Sequence, residues 1–588
     1  MELVSSVRSN GKAKMQEEET HKPLRKWCFT VFSVSLAALL VFGVFIFPNT
    51  TESESNSSSS LRRVLSASTM LKTVCNATLY SDKCYSTLLS VNSSDPKILF
   101  RASLLKAREE HLRIFGYPRK LISSTADESV KVSLKVCDEM IVDALEHLNE
   151  TIESFDGLEK ALTMVEIDEI RSKLSFAIID HDTCFEGIDE ILDSDFSGYQ
   201  RNLKLIKNLK DSMKDSTEFV SNSLAIVTRI LGDHQLPGLE KKSGHRRLLG
   251  LQETKLGFPD WLGLGDRRAL LDSSDLTPDV TVAKDGSGNF QTINEAVAAA
   301  PDKSNSRFLV YIKEGVYTEN VFLPKNKWNI LMYGDGISKT IVTGRRNTID
   351  DPTLRTFQTA TFAVEGNGFM AKDLKFVNTA GPEKHQAVAF RSTSSRSVLY
   401  QCAFAGYQDT LYAHRGEQFY RDCDIVGSID FIFGHAAAVF ENCTIRPRQP
   451  LRGQYDTVTA HSVSDPYAKS GFSIVRSTIS PFDGDNLTAA VYLGRPWKNF
   501  STTVVMRTEI GSLIDPAGWI AWNANGPPKP MIYYGEYKNS GPGSGLGKRV
   551  KWADTNMTLE EAQKFTVGEF ISGKVWLNNT GVPFDEPL

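Results

Sequence analysis

The sequence predicts an all-α region followed by an all-β region, and three patterns carry that reading. From about Ala67 to Leu231, apolar residues recur at three- and four-residue spacing. Examples are Ile141, Ala144, Leu145 and Leu148, then Leu158, Ala161, Leu162 and Val165. Pro is almost absent from this stretch, which suits amphipathic helices packed as a bundle. From Val280 onward, short runs rich in Val, Ile, Phe and Thr alternate with turn residues, as in FLVYI, NILMYG, TATFAV, SVLYQCAF and STTVVMR. Only TINEAVAAA reads as a helix there, which excludes a regular βαβ alternation. The runs recur at intervals of about 20 to 25 residues, the habit of a coil-by-coil solenoid such as a parallel β-helix. A β-sandwich array fits the same spacing. A chain of 588 residues exceeds one ordinary core, so several domains follow.

Read in order, residues 1–26 form a polar tail that ends in Lys22, Arg25 and Lys26. Residues 27–47 are uncharged and long enough to cross a hydrocarbon core. The basic cluster before them predicts a signal-anchor with a cytoplasmic N-terminus. A long cleaved signal peptide is the alternative. Residues 48–66, rich in Ser, Asn, Thr and Glu, read as a flexible stem. The bundle occupies 67–231. A linker over 232–278 loses the helical period and carries two arginine pairs, Arg246–Arg247 in HRRLL and Arg267–Arg268 in DRRALL. Paired arginines in extended chain suit the cleft of a processing protease. The β-region fills 279–588.

N-x-[ST] patterns at Asn76, Asn92, Asn149, Asn442, Asn486, Asn499, Asn556 and Asn578 fit a secretory route. So do the cysteines, since an oxidising lumen favours disulfides. Cys28 lies in the apolar run. Cys75, Cys84, Cys137 and Cys184 make a set of four in the α-region, and Cys402, Cys423 and Cys443 leave an odd thiol in the β-region. The net charge of −4, with both signs interspersed, gives no basic stripe for nucleic acid.

The chemistry points to two aspartates. GYQDTLY (Gly406 to Tyr412) and GSIDFIFG (Gly427 to Gly434) each set one aspartate, Asp409 or Asp430, among aromatic and aliphatic neighbours. Desolvation raises a carboxyl pKa, and a second carboxylate nearby drives the two apart. Such a pair can supply one protonated acid and one ionised nucleophile. Other signatures are missing from the sequence: no G-x-S-x-G elbow, no H-E-x-x-H and no paired C-x-x-C. GPGSGLGKR and GDGISKT fail the phosphate-loop template. Neither a metal nor an organic cofactor is expected.

Five motifs, GVYTEN, QAVAFR, GYQDTLY, DFIFG and LGRPW, in that order, resemble the pectin methylesterase family. VAKDGSGNFQTINEAV resembles the opening of that family's catalytic domain. The resemblance implies a right-handed parallel β-helix that hydrolyses methyl esters of galacturonan to pectate and methanol. It implies Asp430 as nucleophile, Asp409 as general acid and later base, and Gln386 and Gln408 as amide donors to the oxyanion. It also implies Arg495 as the partner of Asp430, with Trp497 and Thr356 lining the sugar site. Arg391 and Glu319 are expected in structural ion pairs. His435, where many family members have Asn, is expected to be a solvated or core histidine. Spacing and the family together favour a Cys402–Cys423 bridge.

CNATLYSDKC and LSFAIIDHDTCFEGI resemble the plant invertase and pectin methylesterase inhibitor family. That implies a four-helix bundle with Cys75–Cys84 and Cys137–Cys184 bridges, restraining the enzyme until the linker is cut. The implied partners are methyl-esterified homogalacturonan, a subtilisin-like processing protease and proteinaceous pectin methylesterase inhibitors. The implied route is the secretory pathway and then the cell wall. A polygalacturonase or lyase would need a different acidic cluster. A non-catalytic wall protein would not need all of Asp409, Asp430, Gln386, Gln408 and Arg495.

Overall fold

The computed structural model describes residues 66–157, 162–192, 203–232, 276–523, 526, 531–585 and 588. The apolar run 27–47, nearly all of the stem, and Arg246, Arg247, Arg267 and Arg268 lie outside them. Among the described residues, no helix is long and apolar enough to cross a membrane.

Four long helices build the bundle: α1 (Pro96–Ile114), α2 (Glu128–Asp156), α3 (Met164–Leu192) and α4 (Leu203–Ile226). Asp95 caps α1 by accepting from Lys97 N, with Pro96 at the first turn, where a missing N–H costs nothing. Asp127 caps α2 by accepting from Ser129 N and Val130 N. Leu99, Phe100, Leu104, Ala144, Leu148, Leu174, Ile178, Val220 and Leu224 meet in one buried core. The apolar stretch that continues beyond α2 is not a single helix, because Gly157 ends α2 and α3 starts at Met164. Two disulfides staple the bundle. Cys75–Cys84 closes the N-terminal turn, and Cys137–Cys184 ties α2 to α3.

The β-region winds into three parallel sheets of ten, seven and eight strands among the described residues. Each strand pairs with the equivalent strand one coil away, which defines a parallel β-helix and leaves no room for a sandwich. The sheet that matters for function holds seven strands. They are β1 (Val321–Leu323), β2 (Phe362–Val364), β3 (Phe390–Ser392), β4 (Leu411–Ala413), β5 (Ile432–Gly434), β6 (Asp456–His461) and β7 (Val491–Gly494).

The corners of the coil repeat one device. Gln401, Asp422, Asn442, Arg476, Arg507 and Lys538 each follow a strand of the ten-stranded sheet and adopt a left-handed backbone, with φ between 48° and 54°. A single left-handed residue turns the chain sharply into the next sheet. Inside the coils, aromatic rings stack between successive turns: Phe362 on Phe390 at 5.6 Å, Phe376 on Phe404 at 5.6 Å, and Tyr420 on Phe440 at 4.6 Å. The predicted helix is Ile293–Ala299, opened by a Thr292–Glu295 capping box.

Two expectations need revision. Cys402, Cys423 and Cys443 are all free and buried, so the expected Cys402–Cys423 bridge is not formed. Each follows a left-handed corner in consecutive coils. Equivalent positions on parallel neighbours carry their Cβ atoms side by side rather than facing each other, which opposes bridging. The thiols of Cys402 and Cys423 instead donate to Tyr400 O at 3.5 Å and Leu399 O at 3.3 Å. Among the described residues, Glu319 makes no ion pair. It accepts from Ile293 N at 3.0 Å and Asn294 N at 3.1 Å, capping the short helix. Arg391 does form its structural pair, with Glu365 at 3.0 Å.

Candidate active site

Asp409 and Asp430 precede β4 and β5, and the register Leu411↔Ile432, Tyr412↔Phe433 places them opposite one another on adjacent coils. Both take a left-handed backbone, with φ of 62° and 51°. This conformation is unusual for a residue with a side chain and persists only where the surroundings enforce it. Here Asp409 N donates to Ile429 O at 3.0 Å, and Asp430 N donates to Thr457 Oγ1 at 2.9 Å. Neighbouring strands lie about 4.8 Å apart, so the coil itself brings two carboxyls together.

Their environments differ. Asp430 is gripped from two sides. Arg495 donates from Nε to Oδ1 at 2.8 Å and from Nη2 to Oδ2 at 2.5 Å, while Thr457 Oγ1 donates to Oδ1 at 2.6 Å. A two-pronged guanidinium fixes the position and orientation of a carboxyl group. Asp409 has no such clamp. Burial, then the charges of Asp430 and Glu190, push its carboxyl well above the ordinary range, against a smaller pull from Arg495. Arg495 follows β7, and its guanidinium lies 4.2 Å from the ring centre of Trp522.

A cavity of about 560 Å³ surrounds the pair, and every residue expected at the site lines it: Thr356, Gln386, Gln408, Asp409, Asp430, Arg495 and Trp497. Gln386 and Gln408 sit on adjacent coils, joined by Ala387 N donating to Gln408 O at 3.2 Å. Trp497 stacks on Trp522 at 5.7 Å with planes 16° apart, and Tyr412 stacks on Phe433 at 4.1 Å. These pairs give the cavity flat apolar walls. Tyr412 and Phe433 belong to the two aspartate motifs, whereas Thr457 and Trp522 carried no signal in the sequence, because each sits in an ordinary strand or loop run.

The roof of the cavity belongs to the bundle. Thr183, Glu186 and Glu190 of α3 line it together with Val136 of α2. Glu190 Oε2 accepts from Thr356 N at 3.0 Å. Enclosure raises its carboxyl to about 7, against a smaller pull from the Thr356 N–H and Arg355. Glu186 Oε1 meets His435 Nε2 at 3.0 Å, Lys498 Nζ at 2.6 Å and Ser462 Oγ at 3.2 Å. Burial pushes the Glu186 carboxyl up, but His435 and Lys498 together outweigh it and hold the group at about 2. His435 is therefore neither a solvated nor a plain core residue, since it is fully buried against a carboxylate from the bundle. Further along the same face, Thr183 bonds His414 at 2.7 Å, and Asp180 pairs with Arg415. Lys325 reaches Glu146 at 2.8 Å.

Residues 279–574 match the pectinesterase family, and residues 69–226 match the plant invertase/pectin methylesterase inhibitor family. The chain is 47% identical over 554 residues to "Pectinesterase 3" of Phaseolus vulgaris, covering 93% of this chain and 92% of that one. It is 47% identical over 525 residues to "Pectinesterase 1" of Arabidopsis thaliana, covering 88% of each. The solved structure of pectin methylesterase from carrot aligns with a TM-score of 0.52 at 46% identity, covering 53% of this chain and 99% of that chain. Fold and relatives define a carboxylic ester hydrolase on a parallel β-helix, preceded by an inhibitor-type bundle. The chain belongs to the pectinesterase family.

Proposed function

We propose that this chain is a latent esterase that hydrolyses the methyl esters of pectin through an aspartate nucleophile. The observation that carries the reading is the unequal pair: Asp430 held by the Arg495 fork, Asp409 buried and pushed up beside it. Asp430 attacks the ester carbonyl carbon, and the developing oxyanion takes N–H donation from Gln386 and Gln408. Asp409 gives its proton to the methoxy oxygen as the C–O bond breaks, releasing methanol and leaving an acyl-aspartate. Asp409, now charged, takes a proton from water. The hydroxide adds to the acyl carbon and frees both a galacturonate carboxylate and Asp430. Trp497, Trp522 and Thr356 wall the sugar chain.

Latency follows from the roof. With α3 in place, Glu190 occupies the Thr356 edge of the cavity and bundle residues line its roof, which supports exclusion of the polymer. In this reading the chain comprises a cytoplasmic tail over 1–26, a signal-anchor over 27–47 and a stem over 48–66. An inhibitory bundle over 67–231, a linker over 232–278 and a catalytic β-helix over 279–588 follow. A subtilisin-like protease cuts at Arg246–Arg247 or Arg267–Arg268 on the way to the cell wall, where pectin methylesterase inhibitors can take the bundle's place.

The test is methanol release from methyl-esterified galacturonan, comparing the uncut chain with the same chain cleaved in the linker and freed of the bundle. The expected outcome is turnover only after cleavage. A freed, folded β-helix without esterase activity overturns the reading of the site. Full activity in the uncut chain overturns latency alone.

A further inference from the structure

Thr457 holds Asp430 through its backbone and through its hydroxyl. The register that sets Ile432 beside Thr459 sets Asp430 beside Thr457 on the next coil. Thr457 N donates to Ser428 O at 3.3 Å, and Phe431 N donates to Thr457 O at 3.3 Å. Thr457 is fully buried. Its Oγ1 accepts from Asp430 N at 2.9 Å and lies 2.6 Å from Asp430 Oδ1. A hydroxyl has one proton, and with Asp430 N filling an acceptor position that proton points at Oδ1. Thr459, two residues on, directs its hydroxyl to the backbone at Leu493 O instead.

The two oxygens of Asp430 therefore differ. Oδ1 accepts two hydrogen bonds, one from Thr457 Oγ1 and one from Arg495 Nε at 2.8 Å. Among the described residues, Oδ2 accepts one, from Arg495 Nη2 at 2.5 Å. A carboxylate oxygen offers about two lone-pair sites, so both sites of Oδ1 are engaged while Oδ2 keeps one open. The Arg495 fork alone would fix the plane of the carboxyl and leave its oxygens alike, each with one donor. The Thr457 hydroxyl breaks that symmetry.

We propose that Thr457 is a positioning residue for the ester chemistry, committing Asp430 to attack through Oδ2 while Oδ1 stays bonded to the protein. The proposal rests on the pectin esterase reading. The open Oδ2 lone pair forms the bond to the ester carbonyl carbon, the C–O bond to methoxy breaks, and the methoxy oxygen takes the Asp409 proton. Oδ1 becomes the carbonyl oxygen of the acyl-aspartate and keeps both of its donors. Water then adds to the galacturonyl carbon and gives a proton to Asp409, and the electron pair of the C–Oδ2 bond returns to Asp430. The hydroxyl touches no substrate atom and acts only through the nucleophile.

The experiment uses the chain cleaved in the linker and freed of the bundle, with methanol release from methyl-esterified galacturonan as the readout. Thr457→Val keeps the shape and loses the hydroxyl, whereas Thr457→Ser keeps the hydroxyl and loses a methyl group. A packing role predicts that Val is tolerated and Ser is not, and the positioning role predicts the reverse. The expected result is a kcat lowered roughly ten- to a hundredfold in Thr457→Val with KM little changed, the size of one charge-assisted hydrogen bond, and a kcat largely kept in Thr457→Ser. Thr457→Val combined with Arg495→Lys should lose less than the product of the two single losses, because both residues orient one carboxyl. Thermal unfolding confirms that each variant folds. If Val unfolds the chain, Thr457→Cys, whose thiol is a weak donor, takes its place and lowers kcat in the same sense. A wild-type kcat in the folded variant without the hydroxyl, an equal loss in Thr457→Ser, or losses that multiply in the double variant overturns the proposal alone. If the wild type releases no methanol, the esterase reading falls and takes the proposal with it.

Discussion

Asp430 depends on geometry as much as on charge, and its neighbours predict how substitutions act. In the proposed reaction Asp430 is the attacking group, so Asp430→Asn should keep the fold and lower methanol release below about a hundredth of wild type. Arg495→Lys keeps a cation and loses the planar fork, so kcat should drop by roughly ten- to a hundredfold with KM little changed. An unchanged kcat would make Arg495 a bystander. Asp456, on β6, is the opposite case. It is fully buried, and neither carboxyl oxygen finds a hydrogen-bond partner among the described residues. Burial, with Asp485 nearby, lifts its carboxyl from 3.8 to about 8. The native state thus holds a proton that the unfolded state releases, and the associated stability is present at low pH and lost as pH rises through about 8. Asp456→Asn, which needs no proton, should raise the melting temperature near pH 8 and change it less near pH 5. A melting curve that responds equally at both pH values would contradict this. The sequence made the two aspartates, both glutamines, Arg495 and Trp497 legible, because each sits in a short distinctive run. Thr457 was not legible. DTVTAH reads as plain strand, and only the register between coils puts its hydroxyl on Asp430.

Among the elements, the coil determines almost everything about the cleft. Successive rungs repeat the same left-handed corner and the same inward aromatic, so the interior is a column of stacked rings. Phe390 sits between Phe362 and Phe404 in that column and is fully buried. Phe390→Ala should cost about 3–5 kcal/mol, because neighbouring coils cannot close the void without breaking their ladders. Thermal or denaturant unfolding measures this. Short β-rich runs announced the strands but not how they stack, since sandwich and solenoid share a local pattern and differ only in which strands pair. The same blindness affected the cysteines. Spacing suggested a bridge, yet equivalent positions on parallel coils stand side by side. In the bundle the opposite held: both bridges lie where the motifs implied them.

For the molecule as a whole, the docking of α3 on the sheet was invisible in the sequence. A helix's outward carboxylates look alike whether they meet solvent or a cleft. Docking sets carboxylates of the bundle against cations of the β-helix, as in Glu186 with Lys498, Asp180 with Arg415 and Glu146 with Lys325, beside an apolar cluster shared by Val136, Met140, Phe357 and Val388. Glu190 adds a pH dependence. Its carboxyl sits at about 7 when docked, against an ordinary 4.5. Its contribution to docking is therefore complete below about pH 4.5 and is lost as pH rises through about 7. The uncut chain should leak more methanol as pH rises over that window, relative to a Glu190→Gln chain whose docking lacks this proton. Identical leak profiles for the two chains would remove Glu190 from the latch. The two aspartates owe their spacing to the rungs beneath them and not to the bundle above. On the proposed reading, removing the bundle should therefore uncover a pair already in place and not assemble one. An excised bundle added back to the free enzyme should behave as a rival for the same seat, raising the apparent KM in proportion to its concentration while the rate at saturating pectin stays as it was.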